Sequence, residues 1–292
     1  MLTNKLNLPE PVYRACSADD YTMGGADYSC TGLIDAPRIT HLKKRHGHEV
    51  VEDVIDRIWS MFGQLGHKLL ERAGADNAFL EERLFWPLLG RQISGASDIG
   101  QFVVEEGKIT DYKFTSVFTA KFGDRVDDWT AQQNIYRWLW QKHGYEITEL
   151  EICAFFRDWR RGESLHDKDY PPIAKIYKLE VWPMEKTENY IRERLSALIE
   201  AEESPDDQLP ECTPAEMWQR EPKFAVMKKG GKRATKVVDS QKEALGVLGQ
   251  QKDPLEYEVQ YRPADRTRCE NYCSVSPFCS QFREYLKTKE GK

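Results

Sequence analysis

The chain of 292 residues lacks any apolar run approaching the roughly 20 residues that span a bilayer. Its opening stretch, MLTNKLNLPEPVYRAC, holds no apolar signal core. A soluble, intracellular protein with no membrane partner is therefore expected. A surplus of positive charge is also missing: 42 Lys and Arg against 48 Asp and Glu give a formal net charge of −6. That excludes a coat of basic charge for nucleic acid, although a local basic groove would be enough to follow a phosphate backbone. An even complement of cysteines is absent. There are seven, and three of them fall between Cys269 and Cys279. Such crowding in an intracellular chain points to metal more than to disulfides. What is present in quantity is apolar residue, 40% of the chain, which excludes broad disorder and suffices for one large or two small domains.

The most informative stretch is Ile93 to Thr115, ISGASDIGQFVVEEGKITDYKFT. It reads as two strands joined by a turn at Glu105-Glu106-Gly107-Lys108, with Gly107 able to take positive φ. On a strand, residues i and i+2 share a face, so Asp111 and Lys113 project together with Tyr112 opposite. If the runs pair as a hairpin, Asp98 reaches the same face. Two carboxylates beside an ammonium suit metal-assisted hydrolysis, because hard divalent cations take oxygen ligands and leave positions for water and phosphate. The lysine then orients a water or steadies developing charge. The plain alternative is a surface hairpin with a solvated ion pair.

Gly95-x-x-Asp98, twelve residues, then Asp111-Tyr112-Lys113 resembles the core motif of the RecB-like branch of the PD-(D/E)XK nucleases. Two further pieces are similar to that branch: the segment Phe62 to Glu71 around His67, and Gln132-x-x-x-Tyr136. The resemblance covers roughly Ser29 to Lys287. It implies a restriction-endonuclease-like α/β core of αβββαβ order, a central mixed sheet flanked by helices. It implies Mg2+ or Mn2+ held by His67, Asp98, Asp111 and the carbonyl of Tyr112, with Lys113 positioning the attacking water and Gln132 and Tyr136 positioning substrate. The activity implied is exonuclease cleavage of DNA, at single-stranded or duplex ends, in the cytoplasm of a bacterium or phage-infected host, with no helicase or recombinase partner identifiable. The rival reading is a non-catalytic DNA-binding or assembly subunit.

Taken in order, residues 1–28 read as a loosely ordered arm, residues 29–203 as the nuclease core, and residues 204–292 as a C-terminal region. In the core, Ser29 or Thr31 caps a short helix and Pro37 opens another, which ends in the basic run Lys43-Lys44-Arg45-His46. Glu49 to Ala73 is the longest helical pattern. Phe79 to Leu89 is a strand and turn, with Glu82 a possible acidic neighbour of the site. Asp127 to His143 is a second amphipathic helix, on which Gln132 and Tyr136 share a face. Strands follow at Ile147 to Trp159 and Ile173 to Trp182, then a charged helix from Met184 to Glu203. Beyond a Pro-rich boundary, Phe224 to Val238 reads as a hairpin around Gly230-Gly231 carrying Lys228, Lys229, Lys232 and Arg233. It is either a DNA-binding element or a solvated hairpin.

Cys269-x3-Cys273-x5-Cys279 has spacing that wraps a soft metal or an iron–sulfur cluster. A fourth thiolate is needed. Cys212, at a loop-to-helix junction, is preferred over Cys30 and Cys16, while Cys153 lies in a strand pattern and reads as buried packing. The resembled nucleases close their C-terminal region with three such cysteines on a 4Fe–4S cluster, the fourth ligand coming from an N-terminal Cys-Pro-Arg. Here that motif reads Ala36-Pro37-Arg38. Zinc is the alternative. Either metal would staple the C-terminal tail to the body.

Overall fold

The computed structural model describes residues 1–18, 22–103, 106–123 and 125–290. In chain order the elements are β1 (Leu2–Thr3), α1 (Glu10–Ser17), β2 (Tyr28–Ser29), α2 (Cys30–Ile34), α3 (Pro37–His46), β3 (Glu52–Asp53), α4 (Val54–Ala73), β4 (Ala78–Leu88), β5 (Arg91–Val103) and β6 (Glu106–Thr115). Next come α5 (Val117–Phe122), α6 (Val126–Lys142), β7 (Ile147–Phe156), α7 (Arg161–His166), β8 (Ala174–Lys178) and α8 (Met184–Ala201). The last are β9 (Lys223–Lys228), β10 (Ala234–Val238), α9 (Gln241–Gly249), β11 (Tyr257–Arg262), α10 (Thr267–Asn271) and α11 (Ser280–Glu290). The chain divides into two compact units: residues 1–36 with 48–204, and residues 37–47 with 205–292. None of the described helices is long and apolar enough to cross a membrane.

The first unit is α/β, a mixed sheet flanked by helices. Strand order is β2-β5-β6-β7-β8, with β4 also paired to β5. The β4–β5, β5–β6 and β7–β8 pairs are antiparallel, while β2–β5 and β6–β7 are parallel. Residues 1–18, expected as an arm, carry β1, paired with β3, and α1, which lies on α4. Ile93, Ile109, Ile147, Leu150 and Ile152 from the sheet meet Ile135, Trp138 and Leu139 of α6 in the core.

Helix α6 is not amphipathic as expected. It is buried from Trp129 through Tyr136 and again from Trp138 through Trp140. A helix buried on most sides must satisfy its polar groups internally. Asn134 does so by donating to the carbonyls of Thr130 (2.8 Å) and Glu180 (2.9 Å) and accepting from the Trp182 amide at 2.9 Å. Helix α4 departs the other way. Asp53 caps it in a reciprocal capping box with Asp56, yet of its apolar residues only Val54 is buried. Ile55, Trp59, Phe62, Leu65 and Leu69 stay exposed. It meets the sheet at Gly66, where an added Cβ would lie 2.1 Å from the Phe114 ring.

Gly107 also differs from expectation. It lies within β6 and does not take positive φ; an added Cβ there would meet Ile147, the Glu146 carbonyl and Phe102 within 2.7 Å. Its role is close approach of strands, and Glu105 of the expected turn lies outside the described residues.

In the second unit β9 is the central strand of an antiparallel sheet ordered β10-β9-β11, packed against α9 through Val226, Val238 and Ala244. Gly230, with φ 72°, turns the β9–β10 hairpin. Within this unit, His46 of α3 stacks on Phe278 at 4.5 Å, and its Nε2 lies 2.6 Å from Asp206.

Candidate metal centre

Four elements of the first unit, α4, β4, β5 and β6, converge on one spot. The β5–β6 pairing holds in register from Ile99 opposite Thr110 to Val103 opposite Glu106. That leaves Asp98 just beyond the last pair, where its Oδ2 accepts from the Tyr112 amide at 2.6 Å. From α4, His67 brings Nδ1 to 3.2 Å from the same oxygen. From β6, Lys113 Nζ lies 2.5 Å from Asp111 Oδ2. Asp111 is buried, and the Lys113 ammonium is the cation beside its Oδ2.

The third carboxylate is Glu81, whose Oε1 lies 4.0 Å from His67 Nδ1. One ligand atom from each of His67, Glu81 and Asp98 falls within 4.8 Å of the others, a group able to hold a metal ion. The acidic neighbour expected on this strand was Glu82, which is exposed instead. The reason is local. Glu81 has φ 51°, and the β4–β5 ladder steps from Leu80–Ile99 to Glu82–Ser97 without it. A non-glycine residue in the left-handed region is strained and re-aims its side chain, which no periodicity can register.

The electrostatics are those of crowded acids. Burial, then the charge of Asp98, raises Asp111 to about 6 against the pull of Lys113. Burial and Asp98 also raise Glu81. His67 is raised chiefly by its hydrogen bond to Asp98, so it holds its proton more tightly than a free imidazole and must release it to ligate a cation. A divalent ion would relieve this repulsion, and carboxylate oxygens with one imidazole suit a hard or borderline cation such as Mg2+ or Mn2+.

Gln132 and Tyr136 are both buried, with Gln132 Nε2 donating to Tyr136 Oη at 2.8 Å. Burial first, then the charges of Cys30 and Asp111, push the Tyr136 phenol well above its usual range. Gly95 has a packing role, since an added Cβ would lie 2.4 Å from Cys30 Sγ, 2.8 Å from Tyr136 and 2.9 Å from Leu139.

In the second unit Cys212, Cys269, Cys273 and Cys279 line one cavity of about 20 Å3. They surround it without forming a tight group, because among the described residues no three thiols lie within 4.8 Å of one another. Cys16 and Cys30 are used in the packing of the first unit, Cys16 with its Sγ 3.9 Å from Met61 Sδ. Cys153 is half-buried on β7. Lys228 is paired with Glu256 at 2.8 Å, while Lys229, Lys232 and Arg233 are exposed around the hairpin turn.

No family model and no curated protein matches the sequence. Among solved structures, the chain is similar to SSO0001 at a TM-score of 0.44 and 16% identity, over 67% of this chain and 84% of that one. It is also similar to a protein from Eubacterium rectale called "putative exonuclease", at a TM-score of 0.25 and 12% identity, over 53% of this chain and 56% of that one.

Proposed function

We propose that this chain is a metal-dependent nuclease of the RecB-like PD-(D/E)XK type, built on a restriction-endonuclease-like core and cleaving DNA from ends. The observation that carries the reading is the meeting of His67, Asp98 and Glu81 with the buried Asp111–Lys113 pair. Asp98, Asp111, Glu81 and His67 would hold Mg2+ or Mn2+, and the Tyr112 carbonyl is a further candidate ligand. When bound, such an ion supplies Lewis-acid activation at a phosphodiester and lowers the pKa of water. Lys113, whose Nζ lies 2.5 Å from Asp111, would orient the nucleophile or a phosphate oxygen. Gln132 and Tyr136, joined at 2.8 Å, would help position substrate, and the basic hairpin at Lys228, Lys229, Lys232 and Arg233 would follow the backbone of the DNA.

The second unit is proposed to hold a 4Fe–4S cluster on Cys212, Cys269, Cys273 and Cys279, with zinc the alternative. Among the described residues no three of these thiols stand within 4.8 Å of one another, so ligation by either group would draw them together.

The test is digestion of end-labelled linear, circular and single-stranded DNA with Mg2+ or Mn2+, using wild type and Lys113→Ala. Linear but not circular DNA should be degraded, and Lys113→Ala should abolish it. A folded, metal-loaded wild type that cleaves none of these substrates would remove the enzyme reading and leave a DNA-binding subunit.

A further inference from the structure

Arg38 is 2% exposed, and no carboxylate among the described residues pairs with it. Its hydrogen bonds are nevertheless filled. Nε donates to the Pro210 carbonyl at 3.0 Å, and Nη2 donates to the Leu209 carbonyl. Nη1 donates to Ser280 Oγ at 2.9 Å and the Asp206 carbonyl at 3.4 Å, and lies 4.0 Å from Cys279 Sγ. The donors are satisfied while the charge is not, and a buried cation without a counter-charge is strongly unfavourable.

The missing counter-charge has an obvious place. Arg38 lines the same cavity as Cys212, Cys269, Cys273 and Cys279. The carboxylate in that lining, Glu216, accepts from the amide of Thr213 at 2.9 Å and from its hydroxyl at 3.1 Å. A second cation, Arg266, stands in the same lining. The four thiols lie in that lining. Ligation by a metal removes their protons. Four thiolates around a dipositive ion or cluster core leave a net charge of about −2.

We propose that Arg38 is the counter-charge and positioning residue of a thiolate metal centre, an inference that rests on the cysteine-site reading above. Its guanidinium fork gathers the carbonyls of residues 206, 209 and 210, just before Cys212, and ties them to Cys279 and Ser280 at the start of α11. Gln281 completes the clamp, with Oε1 accepting from the Cys212 amide at 2.9 Å and Nε2 donating to its carbonyl at 3.0 Å. Metal loading neutralises a charge that the empty cavity leaves bare.

The experiment uses the full chain purified without oxygen. Metal and sulfide content, visible spectrum and Tm are recorded for loaded and metal-stripped wild type, Arg38→Met, Arg38→Lys and Cys212→Ser. Stripped Arg38→Met should melt below stripped wild type, because the carbonyls of residues 206, 209 and 210 lose their donor, and loading should restore less than half of the wild-type Tm gain in this variant. Its metal should leave to a chelator at least tenfold faster. Arg38→Lys, which keeps the charge and loses the fork, should retain more than half of the gain, and this variant also decides the matter should Arg38→Met fail to fold. Equal loss of Tm in loaded and stripped forms, or loss of the whole gain in Arg38→Lys, makes Arg38 a structural clamp and overturns the counter-charge role alone. A wild type that binds no metal, or a Cys212→Ser that binds it as well as wild type, overturns the cysteine-site reading first and the Arg38 role with it.

Discussion

Replacing Gly95 by alanine isolates a packing constraint inside the candidate site. Gly95 does not take positive φ, so the backbone accepts alanine and the effect is steric. The new Cβ would stand 2.4 Å from Cys30 Sγ, 2.8 Å from Tyr136 Cε1 and 2.9 Å from Leu139 Cδ1. All three partners are buried, and Tyr136 is also tied to Gln132. Overpacking a close-packed core typically costs 1–3 kcal/mol, and three simultaneous clashes place this one at the upper end, about 3 kcal/mol. For a chain of this size that corresponds to a fall in Tm of about 6–12 °C. The assay is urea unfolding followed by far-UV circular dichroism, repeated with Cys30→Ala alone and in combination. Removing the sulfur opens the tightest contact, so the double variant should recover at least 1 kcal/mol relative to additivity. Loss below 0.5 kcal/mol in Gly95→Ala, or strict additivity in the double variant, would refute the claim that this glycine is a packing requirement.

Three other outcomes follow. Asn134→Ala leaves the part-buried Glu180 carbonyl and Trp182 amide without their partner, and stability should drop by about 2 kcal/mol in denaturant unfolding, with a drop under 0.5 kcal/mol counting against the argument. Glu188 is held down to about 2, first by Arg192, then by Lys142 and Trp138. A carboxylate depressed in the folded state stabilises above its unfolded value and loses that contribution as pH falls toward the folded one. After discounting for its partial exposure, wild type should exceed Glu188→Gln by about 1 kcal/mol at pH 6, and the gap should narrow steadily below pH 4. A gap independent of pH contradicts this. Glu81→Gln should weaken Mn2+ binding about tenfold by calorimetry without lowering Tm, and unchanged affinity would exclude Glu81 from the site.

Much of the arrangement is written in local pattern. The alternation in Ile93 to Thr115 sets a hairpin, and a period of two puts Asp111 and Lys113 on one face whatever surrounds them. Ser29 caps α2 through the Gly32 amide, Gly230 turns the β9–β10 hairpin, and each needs only its immediate neighbours. The resemblance in motif order named His67, Asp98 and the Gln132–Tyr136 pair, and helical spacing fixed that Gln132 and Tyr136 share a face.

Burial and charge balance, by contrast, were decided by tertiary structure, because they depend on what other parts of the chain bring alongside. Helix α4 has the clearest apolar stripe yet leaves most of it exposed, while α6, with a polar run from Thr130 to Asn134, is enclosed. Glu81 displaces Glu82 only because a strained backbone interrupts the ladder at that point. Cys30 is claimed by the packing behind Gly95, and Cys212 joins the cavity of Cys269, Cys273 and Cys279. Sequence alone supplied the chemical groups and their local faces. The distances between groups far apart in the chain, and so the raised pKa of Asp111 and the bare charge of Arg38, follow from the desolvation and packing that folding imposes.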